Sequence, residues 1–230
     1  MRYVYCHPLF DERKCAHRFS YELKTTFEAT GLHLERFDYR GTGEAAGEFS
    51  QVSLDTLRAD ISQHIRGEEA CLVGVRFGAS LAFDYCAGGA GNVRNLILVE
   101  PVIDGAKYVD YLRRKQHIKN VMTGGASDTL KEEGCENIEG YKTSSKFVEE
   151  MNRFDLRRVA AHCGTVDSVF IVQISDGSKI ARDIVRVLEV FEHHNTRVTV
   201  EHVKLPVFWR RIPSTDYGVL TTKIVRWCRG

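Results

Sequence analysis

Several things are missing from this 230-residue sequence, and each absence narrows what it can do. It has no surplus of positive charge. Lys and Arg total 32 against 31 Asp and Glu, a formal net charge of +1, so nucleic acid is excluded as the main partner, because phosphate binding needs cations concentrated on one face. No window approaches the ~20 consecutive apolar residues of a membrane span. The seven cysteines, Cys6, Cys15, Cys71, Cys86, Cys135, Cys163 and Cys228, form no CxxC pair, which argues against a zinc knuckle and a thioredoxin-like redox motif. They are expected as reduced thiols filling core positions. No apolar leader precedes the charged run Asp11-Glu12-Arg13-Lys14, so a secretory signal is not expected and the cytoplasm is. No internal repeat or low-complexity tract is visible, and nothing in the chain implies a metal or an organic cofactor.

What is present reads as a folded protein, with 43% hydrophobic and 27% charged residues. Runs rich in Val, Ile, Leu and Phe fall at Arg2–Cys6, Leu32–Phe37, Ala70–Val75, Val93–Val99, Ser168–Ile174 and Thr196–Val203. Most are continuous rather than alternating, as strands covered on both faces are. Between them lie helical patterns at Ala16–Thr30, Ser53–Ile65, Phe77–Cys86, Ser178–His193 and Thr215–Trp227. Ser53 and Thr56 give an N-cap signal, and Ile184, Val187, Leu188 and Phe191 share one helical face. The alternation predicts an α/β fold, a mostly parallel sheet of about six strands with helices on both faces. Residues 106–157 break this rhythm. They show helical periodicity with no strand and hold Thr123-Gly124-Gly125-Ala126-Ser127, which predicts a helical cap inserted into a core of 1–105 and 158–230, with a retained pocket between sheet and cap.

The most informative stretch is Leu72-Val73-Gly74-Val75-Arg76-Phe77-Gly78-Ala79-Ser80. Glycines two before and two after a central residue are what a strained strand-to-helix turn needs. The frame resembles the nucleophile elbow of α/β-hydrolases, whose centre is Ser, Cys or Asp. Here it is Arg76, which presents only donors and cannot be that nucleophile. His7-Pro8-Leu9-Phe10 follows the first strand, where such hydrolases place an oxyanion loop. Asp38-Tyr39-Arg40-Gly41-Thr42-Gly43-Glu44 follows the second and resembles the DxRGxGxS turn of the superfamily, weighted here as mostly structural.

The resemblance narrows further. His7 to Arg13, Gly74 to Ala79, Leu98-Val99-Glu100-Pro101-Val102-Ile103-Asp104-Gly105, and Gly140-Tyr141 leading to Phe154-Asp155-Leu156 look like the hydrolase-like proteins associated with exosortase systems of the second type. That resemblance implies an α/β-hydrolase fold, a helical cap, a bacterial cytoplasm and a link to exopolysaccharide export. The chain begins at the first parallel strand, so the two amino-terminal strands usual in the superfamily are expected to be absent. The sheet margin this exposes is the one feature pointing to a homodimer.

The superfamily's order of nucleophile, acid and histidine puts the acid at Asp176, which reads equally as an Asx turn beside Gly177. The histidine is due near Pro206-Val207-Phe208-Trp209, where Phe208 and Trp209 stand instead. His202 lies inside the last strand, too early to serve. Cys163 and Ser175 are candidate replacement nucleophiles, neither with an evident base beside it. His193-His194 reads as solvated, and Arg210-Arg211 as an exposed rim.

With two of three triad roles vacant, the expectation is a degenerate triad and a protein that binds rather than cleaves. The binding set is His7, Leu9, Arg76, Phe77, Glu100, Asp176, Phe208 and Trp209, for a small anionic or acyl ligand. Arg76 has two roles open: a cation at a helix N-terminus for that ligand, or a structural partner of Glu100 or Asp176. Two alternatives stand beside this reading: an active hydrolase with unorthodox groups, such as Asp176 and His7 activating water, and a scaffold acting through the cap surface.

Overall fold

The computed structural model describes residues 1–89, 92–122, 134–160, 166–175, 177, 179–191, 195–211 and 215–230. In chain order the elements are β1 (Arg2–Cys6), α1 (Phe10–Cys15), α2 (His17–Ala29), β2 (Leu34–Arg36), α3 (Leu54–Ile65), β3 (Ala70–Val75) and α4 (Phe77–Ala87). Then come β4 (Val93–Val99), α5 (Gly105–Met122), β5 (Cys135–Ile138), β6 (Tyr141–Ser144), α6 (Ser145–Arg153) and α7 (Leu156–Ala160). The chain ends with β7 (Ser168–Ile174), α8 (Arg182–Phe191), β8 (Arg197–Val203) and α9 (Gly218–Arg229).

The residues fall into two compact units. The first, Met1–Phe37, Ile61–Ile103 and Leu156–Gly230, holds a six-stranded sheet of order β2-β1-β3-β4-β7-β8 in which every pair is parallel. Four of the six predicted strands have the expected boundaries because their apolar runs are buried on both faces. Every residue of β3 and β7 is buried, whereas the edge strand β8 is half-buried almost throughout. The other edge strand is shorter than expected, three residues instead of Leu32–Phe37, because β2 has only β1 to pair with. In α8 the predicted face is buried at Ile184, Val187 and Phe191, and Phe191 meets Phe83 of α4 edge-on at 5.5 Å.

The second unit, Asp38–Asp60 and Asp104–Asp155, corrects the expectation of a purely helical insertion. Cys135–Ile138 and Tyr141–Ser144 form an antiparallel hairpin. Its two-residue loop, Glu139 (φ 53°) and Gly140 (φ 92°), has the positive dihedrals that match the twist of paired strands. Asn137 Oδ1 accepts the Gly140 amide at 2.9 Å and fixes the turn. The Gly-rich stretch at 123–127 lies outside the described residues. The N-cap expected at Ser53 is present as a reciprocal pair: Ser53 Oγ accepts the Thr56 amide at 3.2 Å, and Thr56 Oγ1 accepts the Ser53 amide at 2.9 Å.

The turn Asp38–Glu44 is explained inside this unit by its own bonds. Arg40 forks onto Asp60 (Nε to Oδ1 2.9 Å, Nη2 to Oδ1 2.5 Å), and Asp38 Oδ2 accepts the Glu44 amide at 3.0 Å. A Cβ on Gly41 would lie 2.5 Å from the Phe49 amide nitrogen. Among the described residues no helix is long and apolar enough to cross a membrane.

Candidate functional site

β3 ends at Val75, and the next residue turns the chain into α4. Arg76 has φ 54° and ψ −127°, a conformation disfavoured for a side chain of this size. Its backbone is held from both sides. The Arg76 amide donates to Val99 O at 3.0 Å, and its carbonyl accepts from the Ala79 amide at 3.0 Å. The flanking glycines permit the approach. A Cβ on Gly74 would sit 2.3 Å from Ala79 Cα, and one on Gly78 would sit 2.2 Å from the His7 carbonyl oxygen. Two more non-glycine residues just beyond strands of this sheet share the positive dihedral, Phe10 at φ 56° and Glu100 at φ 49°. Each such residue costs on the order of 1 kcal/mol, and strain of this kind concentrates at functional sites.

The guanidinium of Arg76 is engaged in three ways. Nε donates to Glu12 Oε1 at 3.3 Å, Nη1 donates to the Glu100 carbonyl at 3.2 Å, and the group lies 5.0 Å over the Trp209 ring. The Glu12 side chain is fully buried and that of Arg76 is 16% exposed. This corrects the expectation for Glu100. Among the described residues the carboxylate that meets Arg76 is Glu12, because that of Glu100 is committed to the Ile174 amide at 2.5 Å, tying the end of β4 to β7. Asp176, the other expected partner, lies outside the described residues. Burial pushes the Glu100 carboxyl above the usual glutamate range, against the Ile174 amide and the charges of Arg76, Arg210 and His202, which favour its ionised form.

The remaining expected residues divide into neighbours of this cluster and parts of the aromatic core. His7 is buried, its ring edge-on to Tyr5 at 4.7 Å, while its carbonyl abuts Gly78. Leu9 is buried at the N-cap of α1, and Phe77 is buried as the first residue of α4. Trp209 is buried under Arg76. Phe208 turns into the core instead, against Phe19 at 4.8 Å and Tyr217 at 5.2 Å. Arg210 and Arg211 are exposed, as expected. Glu12 was missed: it sits in a run of charged residues, where nothing in the local pattern marks it as buried.

A second correction concerns Ser175. It has a histidine beside it: Ser175 Oγ lies 2.8 Å from His202 Nε2. The same nitrogen lies 2.9 Å from the Ser175 carbonyl oxygen, which can only accept. This assigns the proton to Nε2, so His202 donates to both oxygens and is not poised as a base for the hydroxyl. Gln173 clamps the same loop, its Nε2 donating to Lys179 O at 3.0 Å and its Oε1 accepting the Ala181 amide at 2.7 Å. The signal lay in the register: β7 and β8 pair Gln173 with His202, which brings the loop after β7 within reach. Cys163, His193 and His194 lie outside the described residues.

No protein-family model and no curated protein sequence matches the chain. Solved structures do. The mouse alpha/beta hydrolase domain-containing protein 10 superposes with a TM-score of 0.62 at 15% identity, covering 99% of this chain and 89% of that one. Est1E of Butyrivibrio proteoclasticus, solved with ferulic acid bound, gives 0.65 at 12% identity, over 98% and 87%. A monoacylglycerol lipase of Paleococcus ferrophilus gives 0.60 at 15% identity, over 98% and 92%. At these identities the likeness speaks for architecture alone, and with the parallel strand order and the strained turn after β3 it shows that the chain has the α/β-hydrolase fold.

Proposed function

We propose that this protein is a non-catalytic α/β-hydrolase-fold protein, a binding protein in which an arginine stands in the nucleophile's place. The observation that carries this reading is the Arg76 turn. Its backbone keeps the strained geometry of an elbow, while its side chain offers donors only and is compensated by the buried Glu12. Of the two roles open to Arg76, the geometry favours the structural one. The pair locks the turn after β3 to α1, and the Trp209 ring and the Glu100 carbonyl complete the lock. A small anionic or acyl molecule is the ligand class, and the resemblance to exosortase-associated proteins supports a place beside exopolysaccharide export in a bacterial cytoplasm.

A second reading rests on the 2.8 Å contact between Ser175 and His202, a hydrolase whose serine has moved to the loop after β7. It requires His202 to release the Ser175 carbonyl and present an unprotonated Nε2 to the hydroxyl.

A fluorophosphonate probe, read by intact mass and peptide mapping, separates the two, since it reacts with activated serines and ignores inert ones. The expected result is an unlabelled protein with no hydrolysis of short-chain p-nitrophenyl esters. A single stoichiometric adduct on Ser175 that disappears in His202→Gln would overturn the non-catalytic reading.

A further inference from the structure

On the α2/α9 side of the same sheet, three buried polar atoms meet no hydrogen-bond partner among the described residues: Tyr5 Oη, Tyr217 Oη and Arg36 Nε. Tyr5 and Arg36 are register partners on β1 and β2, so their side chains leave the sheet on one face. The Phe19 ring links the two tyrosines, lying 6.5 Å from that of Tyr5 and 5.4 Å from that of Tyr217. Phe208 closes the wall at 5.2 Å from Tyr217. Both tyrosines are fully buried, and burial pushes the Tyr5 hydroxyl far up and that of Tyr217 up to about 12. Both therefore keep their protons at neutral pH. Arg36 is half-buried, and its side chain joins no ion pair or hydrogen bond among the described residues.

Groups of this kind normally find partners, and an unanswered buried donor carries the whole cost of its lost hydration. Here two hydroxyls and a guanidinium supply donors and one positive charge, and the carboxylate that acts most strongly on Tyr217, that of Glu22, is taken by Arg18 Nε at 2.6 Å. The complement is an acceptor-rich group carrying one negative charge and small enough to sit between aromatic rings. We infer that Tyr5, Tyr217 and Arg36 form a binding site for the carboxylate of a small organic acid. A carboxylate offers two oxygens with about four acceptor positions and matches the planar fork of arginine. A phosphate dianion would bring a second charge against Phe19 and Phe208 while the other cation acting on Tyr217, Arg18, is paired with Glu22, and desolvation opposes that. The site deepens the binding-protein reading and rests on it for its biological sense, but its geometry is independent of Arg76.

The test is the melting temperature of the full chain in sodium formate and sodium acetate, against sodium chloride of equal ionic strength. At tenfold above half-saturation a ligand held only by the folded state raises the midpoint by roughly 3–6 °C for a protein of this size. The expected result is such a rise with both carboxylates. The Tyr5→Phe/Tyr217→Phe double variant should lose it while its circular dichroism is unchanged. Arg36→Met, on the edge strand, should lose it too and carries the test if the double variant does not fold. No rise in the parent protein, an undiminished rise in a folded variant, or an equal rise with phosphate would overturn the site. A carboxylate-dependent rise together with fluorophosphonate labelling of Ser175 would leave the site standing and remove the non-catalytic reading.

Discussion

The turn after β3 and the tyrosine cluster on β1 and α9 lie in one unit and treat buried polarity in opposite ways. At the turn each polar group named above has an answer: Arg76 has Glu12, the Glu100 carbonyl and Trp209, and the Glu100 carboxylate has the Ile174 amide. At the cluster, Tyr5 Oη, Tyr217 Oη and Arg36 Nε have no hydrogen-bond partner among the described residues. Closed polar networks rigidify a fold, whereas unanswered donors are a cost that persists where something else repays it. On the proposed reading, the corner that holds the nucleophile in α/β-hydrolases is structural here, and recognition belongs to its aromatic flank.

The comparison breaks most completely through the backbone of the turn. Gly78→Ala places a methyl 2.2 Å from the His7 carbonyl oxygen and 2.3 Å from that of Cys6, both fixed at the end of β1. α4 would have to retreat from the sheet, so a loss of about 4 kcal/mol or more is expected, with insoluble expression as the first sign. A soluble Gly78→Ala protein with a parental urea midpoint would show that the turn is looser than its geometry implies.

Removing charge at the turn comes next. Glu12→Gln keeps an oxygen for Arg76 Nε but removes the negative charge that the fully buried Glu12 side chain sets against the guanidinium. A loss of about 2–4 kcal/mol is expected, below the range for fully buried pairs because Arg76 retains some exposure. Arg76→Met should cost a similar amount, since it takes away the guanidinium that Glu12 Oε1 accepts from. Urea unfolding of the double variant decides the matter: if the pair acts as a lock, its loss falls short of the sum of the singles by about 1–3 kcal/mol. Strict additivity would mean the two side chains merely lie close.

Legibility in the sequence followed the range of the forces involved. The central strands were visible as continuous apolar runs, because burial on both faces leaves a mark on every residue of β3 and β7. The glycines at 74 and 78 were visible because only the lack of a side chain allows that approach. α1 was hidden, since four charged residues in a row mask a one-sided helix whose Phe10 and Glu12 are buried. The hairpin at 135–144 was hidden because its turn uses Glu139 at positive φ instead of the usual Asn or Asp. The Glu12 partnership joins residues 64 apart, and no local pattern encodes such a contact. Tyr5 and Tyr217 read as core aromatics, and only the folded chain shows that their hydroxyls lack acceptors among the described residues.

A smaller effect distinguishes the turn by pH. Burial raises the folded-state pKa of Glu100 above its unfolded value near 4.5, so the folded form holds its proton more tightly. The contribution of this group to stability is therefore fully present below about pH 4.5 and is lost as pH rises through the raised value. Glu100→Gln keeps an oxygen for the Ile174 amide and removes the titration. Stability of the variant relative to the parent, read from urea midpoints converted to free energy, should improve as pH is taken from 4 to 7. A relative loss of stability over that range would mean that the neighbouring cations outweigh burial.

The smallest effect is the most telling for the cluster. A buried tyrosine hydroxyl that is hydrogen-bonded typically costs about 1 kcal/mol to remove. The Tyr5 hydroxyl has no hydrogen-bond partner among the described residues, so Tyr5→Phe takes away a desolvated group and no bond seen there. The ring keeps its packing against His7 and Phe19. In chloride buffer, free of carboxylates, the variant should match the parent within about 0.5 kcal/mol or exceed it, which for this chain is about 2 °C or less of lowered midpoint. Ser20→Ala is the internal contrast, because its fully buried hydroxyl donates to the His17 carbonyl at 2.7 Å. It should cost about 1 kcal/mol under the same conditions. If the two substitutions cost the same, the Tyr5 hydroxyl is answered within the folded chain in solution, and the contrast between the closed turn and the open cluster fails on its second half.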